Sequence, residues 1–134
     1  MAVVELLGRG LLAIIFLLSG FGKIIKFSSV AEDMAQHRVP LPEAALLATI
    51  LIEIFGGVAI ALGFKTRVAA AVVAAWLAVV TLVYHTSLVV PQSQDQTIHF
   101  LKNLAILGGL LGLAARGPGS ISLDARPRRN RLEV

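Results

Sequence analysis

The chain has 134 residues, of which 57% are hydrophobic and only 15% charged, with a formal net charge of +4 and a mean hydropathy of +0.84. Soluble domains carry roughly 25% charged residues, so the composition excludes an ordinary soluble fold, which would have to bury far more apolar surface than a chain of this size can enclose. The absence of cysteine excludes a disulfide framework, a thiol relay, an Fe–S cluster and a cysteine nucleophile in this chain.

Taken in order, the first apolar segment is Val3 to Ile25, centred on the uninterrupted run from Gly10 to Gly20. It has no clear small-x-small cleavage site and carries Glu5 ahead of its core, so it reads as a first span rather than a signal peptide. Lys26 to Leu41 forms a longer connection. Ser29 followed by Glu32 matches a capping box, and Val30, Met34 and His37 share one face; the segment is either a short amphipathic surface helix or a loop. The second span is Pro42 to Leu62, the turn Gly63 to Arg67 returns the chain, and the third span is Val68 to Val89. Pro91 to Thr97 is a polar loop. The fourth span, Ile98 to Ala115, is the shortest and ends at Gly117-Pro118-Gly119. Each segment approaches the ~20 residues that cross a bilayer core, and the first and third lack the continuous polar face of a soluble amphipathic helix. The expected fold is all-α, an antiparallel bundle of four transmembrane helices, with a membrane domain over residues 1–118 and a basic tail over 119–134.

Lysine and arginine placement predicts both termini in the cytoplasm. Lys65 and Arg67 lie in the second turn, and Arg116, Arg126, Arg128, Arg129 and Arg131 follow the last span, whereas the loop from Pro91 to Thr97 has no basic residue. Lys23, Lys26 and Arg38 fall on the outer side, so the excess of basic residues inside is a bias in the sense of the positive-inside pattern. It accounts for the basic charge without nucleic acid as a partner, since no RNA-binding or zinc-finger signature is present. Small residues at Ala70, Ala74 and Ala78, at Gly108 and Gly112, and at Gly56-Gly57 form close-approach surfaces, for bundle packing, a homo-oligomer interface, or both. Trp76, in the middle of its span, reads as packing, and Tyr84 as interfacial.

Ionisable and polar residues inside spans are costly and face protein or a water-filled cavity. Arg9, Lys23, Glu53, His85, His99, Lys102 and Asn103 are such residues. At 1.5 Å per residue, Glu53 lies roughly 16 Å and Arg9 roughly 24 Å from the outer end of its span, with Lys23, His85, His99 and Lys102 within about 6 Å of it. A carboxyl group at that depth must be neutral or paired. Arg9 offers a partner from the cytoplasmic side, Lys102 or His85 from the outer side, and Lys23 can snorkel outward. The cluster is either a structural ion pair, a binding or redox cavity, or a transport path. Lys102 can hold an anionic head group, a quinone carbonyl or a carboxylate, and Asn103 can bond across helices. The histidines match no standard metal spacing, so no metal is expected.

Several motifs in order carry a family resemblance: Arg9-Gly-Leu-Leu, Gly20-Phe-Gly-Lys23, Glu53-Ile-Phe-Gly-Gly57, Leu62-Gly-Phe-Lys-Thr-Arg67, His85, Lys102-Asn-Leu-Ala-Ile-Leu-Gly-Gly109 and Gly117-Pro-Gly-Ser-Ile-Ser-Leu-Asp124. Over nearly its whole length the chain resembles the DoxX family of small bacterial membrane proteins. The resemblance implies four spans and an association with membrane oxidoreductase systems and oxidative-stress responses, and it places Arg9, Lys23, Glu53, His85, Lys102 and Asn103 in the family's polar intramembrane pattern. The expected function is a membrane subunit of an oxidoreductase system with a quinone-sized pocket near the outer leaflet. There Glu53 and His85 would handle protons, and Arg9, Lys23, Lys102 and Asn103 would bind the ligand. The alternatives are a non-catalytic anchor or assembly scaffold for partner enzymes, and an oligomeric transporter or channel.

Overall fold

A computed structural model describes residues 1–85 and 94–126; the side chains of His85 and Gln96 lie outside that description. The described residues form five helices: α1 (Ala2–Ile25), α2 (Phe27–Gln36), α3 (Pro42–Leu62), α4 (Thr66–His85) and α5 (Gln94–Arg116). The four long helices are each apolar and long enough to cross a membrane, and no more than a third of any span is buried inside the protein. Large apolar side chains such as Leu11, Leu18 and Phe55 are about two-thirds exposed, at 68%, 69% and 68%. In water that exposure would be prohibitive; in a bilayer these are the lipid-facing surfaces.

The segment between α1 and α3 resolves as a helix. α2 lays Ala31 and Met34 against Leu46 and Ile50 of α3, with Val30 and Tyr84 at the margin. Its apolar face therefore packs on protein. The expected capping box does not form: Lys26 occupies the N-cap position without a side-chain cap, and Ser29, already in the first turn, donates to the carbonyl of Lys26 at 3.1 Å. α5 starts earlier than the hydropathy suggested, because Gln94 to Thr97 join the helix as its polar first turn.

α1 packs closely along α3, α4 along α5, and α3 joins the two pairs; α1 and α5 touch only sparsely. The shared core includes Phe16, Ile60, Val73, Ile106 and Leu110. Ala70 and Ala74 are buried in it, whereas a Cβ at Gly108 or Gly112 would meet nothing within 4 Å. Gly56 faces Val73 so closely that a methyl group would displace it, and Gly57 packs on Leu17 and the Ala13 carbonyl.

α3 ends at Gly63, in the left-handed conformation at φ +69°. Phe64 N–H reaches back to the Ala59 carbonyl at 2.9 Å, the six-to-one closure that a glycine at this position permits. The chain after α5 does not run free: residues 117–126 fold back across this turn, with Leu123 N–H bonding the Leu62 carbonyl at 3.2 Å and Asp124 N–H the Gly63 carbonyl at 2.9 Å.

Candidate functional site

Two polar centres lie at opposite ends of the α1–α3 pair. At the α2 end, Lys23 reaches Glu53, its Nζ standing 3.0 Å from both carboxylate oxygens. Ser19 accepts another Lys23 hydrogen and donates to Glu53 Oε1 at 3.3 Å. The three N–H groups of the ammonium are thus committed. The side chain of Glu53 is only 11% exposed and that of Lys23 26%.

Helix direction explains the meeting. Side chains lean toward the N-terminus of their helix, and α1 and α3 run antiparallel, so Lys23 leans down the bundle while Glu53 leans up. The register supplies the rest. A Cβ built on Gly20 would lie 3.3 Å from Glu53 Cβ, which sets Gly20 level with Glu53 and Lys23 one turn beyond. The expected depths assumed that α1 and α3 end together. They do not: the first turns of α3 rise past α1 and pack under α2. Lys23 therefore turns inward to the carboxylate instead of snorkelling outward.

Arg9 is not the partner of Glu53. It is 3% exposed and sits at the other end of α1, where its Nη1 donates to the Pro118 carbonyl and its Nη2 to the Ile121 carbonyl at 2.8 Å. Beside it, the Asp124 carboxylate accepts from the Lys65 amide at 2.7 Å, the Thr66 amide at 2.9 Å and the Thr66 hydroxyl at 2.9 Å. Helix α4 lacks a capping side chain of its own in Gly63-Phe64-Lys65, and Asp124 supplies the missing acceptor from 58 residues away. Burial raises the Asp124 carboxyl, but the amide and hydroxyl hydrogen bonds from Thr66 and Lys65, with the charge of Arg9, outweigh it and hold the group below its ordinary value. Arg9 thus fastens the chain after α5; it does not line the cavity at the α2 end.

That cavity, of about 370 Å³, is lined by Ser19, Lys23, Glu53, Lys102 and Asn103 together with apolar residues of α1, α4 and α5. Four of the six sequence-derived site residues therefore share one space. Lys102 does not pair with Glu53; its Nζ lies 3.3 Å from His99 Nδ1. Asn103 donates from Nδ2 to Thr81 Oγ1 at 3.2 Å, while the Thr81 hydroxyl donates to the Leu77 carbonyl at 2.7 Å. The fifth residue, His85, ends α4 with its side chain outside the described residues. A second cavity of about 310 Å³ lies under α2, lined by residues including Met34, Leu46, Trp76 and Tyr84. Trp76 Nε1 is buried there without a hydrogen-bond partner among the described residues, and His37 packs against Tyr84 with ring centroids 4.4 Å apart and the rings tilted by 37°. Among the described residues, no three His, Asp or Glu side chains come together as a metal-binding set.

Comparison with known proteins places these residues in context. Residues 4–86 match the model of a family described as DoxX, a stretch that includes Arg9, Lys23, Glu53 and His85 but not Lys102 or Asn103. The chain is similar to inner membrane protein YqjF of Escherichia coli (strain K12), 34% identical over 119 residues that cover 89% of this chain and 88% of that protein. It is equally similar to inner membrane protein YphA of the same organism, 34% identical over 134 residues covering 92% and 90%. A Surfeit locus protein 4 homolog of Drosophila melanogaster is 26% identical over 129 residues, 93% of this chain and 41% of that protein. No solved structure matches.

Proposed function

The chain belongs to the DoxX family, a family of small bacterial integral membrane proteins, and from that premise we propose that it is a non-catalytic membrane subunit, an anchor or assembly scaffold for partner enzymes. It is a multi-pass inner-membrane protein. The observation that carries the scaffold reading is the closed bonding of the Lys23–Glu53 pair. Lys23 spends its hydrogens on Glu53 and Ser19, and Arg9 spends two on backbone carbonyls. Groups so occupied order a bundle; a proton-handling carboxylate needs a free face toward its substrate. In this reading residues 1–118 are the membrane domain, and the basic residues 119–134 continue on the cytoplasmic side with both termini.

A second reading is supported by the cavity itself. Glu53, Lys102 and Asn103 border one space, as a subunit of an oxidoreductase system binding a quinone-like molecule would require, and the family's association with redox and oxidative-stress contexts points the same way. Here Asn103 and Lys102 would orient a carbonyl, and Glu53 would exchange a proton only if Lys23 let go of it.

Purification in native-lipid nanodiscs followed by mass spectrometry separates the two. Protein partners recovered in stoichiometric amount, without a bound quinone or flavin, are the expected result. A stoichiometric redox cofactor lost in Lys102→Met would sink the scaffold reading and establish the other.

A further inference from the structure

The cavity at the α2 end is shaped as a cleft between α1 and α5. The two helices touch where Leu12 meets Gly109, a Cβ on which would lie 3.3 Å from Leu12 Cδ2. Nearer the α2 end, Phe16 and Ile106, with Leu77 and Val80 of α4, line the space below the polar groups. The α1 wall carries Leu18, 69% exposed, and Ile15, 43% exposed. These lie in the middle of a membrane span, so the cleft opens sideways into lipid, with an apolar floor and a polar ceiling.

The ceiling is positively charged. Lys23 and Glu53 cancel each other. Lys102 has no carboxylate within ion-pair distance among the described residues, and its exposed ammonium lies 3.3 Å from His99 Nδ1. The Thr81 hydroxyl gives its one proton to Leu77, so its oxygen can only accept, which sets Asn103 with Nδ2 toward it. Among the described residues, nothing accepts the second Nδ2 hydrogen of Asn103. An unbalanced ammonium and an amide N–H thus border a space of about 370 Å³, at the small end of the roughly 300–1,000 Å³ typical of ligand pockets.

The geometry points to this cleft as a lateral-entry site for a carboxylate-headed, single-chain amphiphile such as an ionised fatty acid, its head group held by Lys102 and Asn103. One negative charge completes the balance, and a carboxylate presents acceptors to both donors. The volume takes a head group and the first carbons of one chain, while the remainder lies between Leu18 and the surrounding lipid. A neutral quinone would leave Lys102 uncompensated. The inference stands apart from the anchoring reading, since a scaffold can carry a lipid ligand.

The test uses the full chain in phosphatidylcholine nanodiscs with trace spin-labelled stearate, read by electron paramagnetic resonance as the fraction of label held immobile. Labelled stearoyl methyl ester and labelled phosphatidylglycerol are the comparison probes. Stearate is expected to associate about tenfold more strongly than its methyl ester, and Lys102→Met to remove that preference. Lys26→Met, which removes an exposed cation at the same end outside the cleft, should leave it intact. Equal association of acid and ester, or a preference unaltered in Lys102→Met, overturns the proposal. Phosphatidylglycerol held as strongly as stearate, with the same dependence on Lys102, overturns the carboxylate assignment in favour of any anionic lipid.

Discussion

Lys23 and Glu53 are separated by 30 residues in the chain, and their charged groups meet at 3.0 Å because α1 and α3 run antiparallel in offset register. Removing one partner leaves the other buried with no counter-charge, at a cost of about 3–5 kcal/mol, whereas replacing both with apolar residues of similar size is often neutral. Lys23→Met alone should therefore destabilise the bundle strongly, and Lys23→Met with Glu53→Leu should recover most of the loss. Unfolding in mixed micelles by rising detergent fraction measures all three. A double variant as unstable as the worse single variant would show that the pair does more than balance charge.

Arg9 holds the chain after α5 through two carbonyls. In Arg9→Met both bonds go, and hydrogen exchange of the segment 122–126 should quicken by roughly tenfold or more. Exchange in the centre of α3 should stay unchanged. Uniform acceleration along the chain would mean that Arg9 supports the whole bundle rather than this fold-back.

Asp124 carries a pH signature. Its carboxyl is held below the ordinary value near 3.8 in the folded chain. A depressed folded value stabilises the ionised state, so the contribution is complete above the unfolded value and is lost as pH falls through the folded one. Asp124→Ala should cost about 0.5–2 kcal/mol near neutral pH, the range for a lost helix cap. The gap to the wild type should shrink below about pH 4. Thermal unfolding across that range is the measurement, and a gap independent of pH would remove the carboxylate from the account.

Gly56 and Gly108 should respond oppositely to the same methyl group. In Gly56→Ala the new Cβ collides with Val73, a branched side chain in the core, whereas at Gly108 it enters open space. The expected cost is about 1–3 kcal/mol at Gly56 and near zero or slightly favourable at Gly108, where alanine is the better helix former. Equal effects at the two sites would contradict the α3–α4 packing described.

The four spans were legible because length and hydropathy are properties of each segment alone. Glu53 stood out for the same reason, as a carboxyl group in the middle of an apolar run. Its partner was not legible: Arg9, Lys102 and His85 were the candidates, and finding Lys23 instead requires the register of α1 on α3, which no single segment carries. The placement of Arg9 was hidden further: its acceptors are backbone carbonyls, which leave no trace in side-chain identity. One signal was available. Gly63-Phe64-Lys65 offers no side-chain acceptor to the first amides of α4, which left room for a carboxylate from elsewhere in the chain such as Asp124.

The Arg9 contact also fixes an order of events during synthesis. Its acceptors lie 109 and 112 residues downstream, and at roughly 5–20 residues per second the ribosome delivers them about 5–20 seconds later. Lys23 waits for only 30 residues before Glu53 emerges. The first helical pair can therefore close before the partners of Arg9 have been made. The guanidinium stays without its partners until Pro118 and Ile121 have been made.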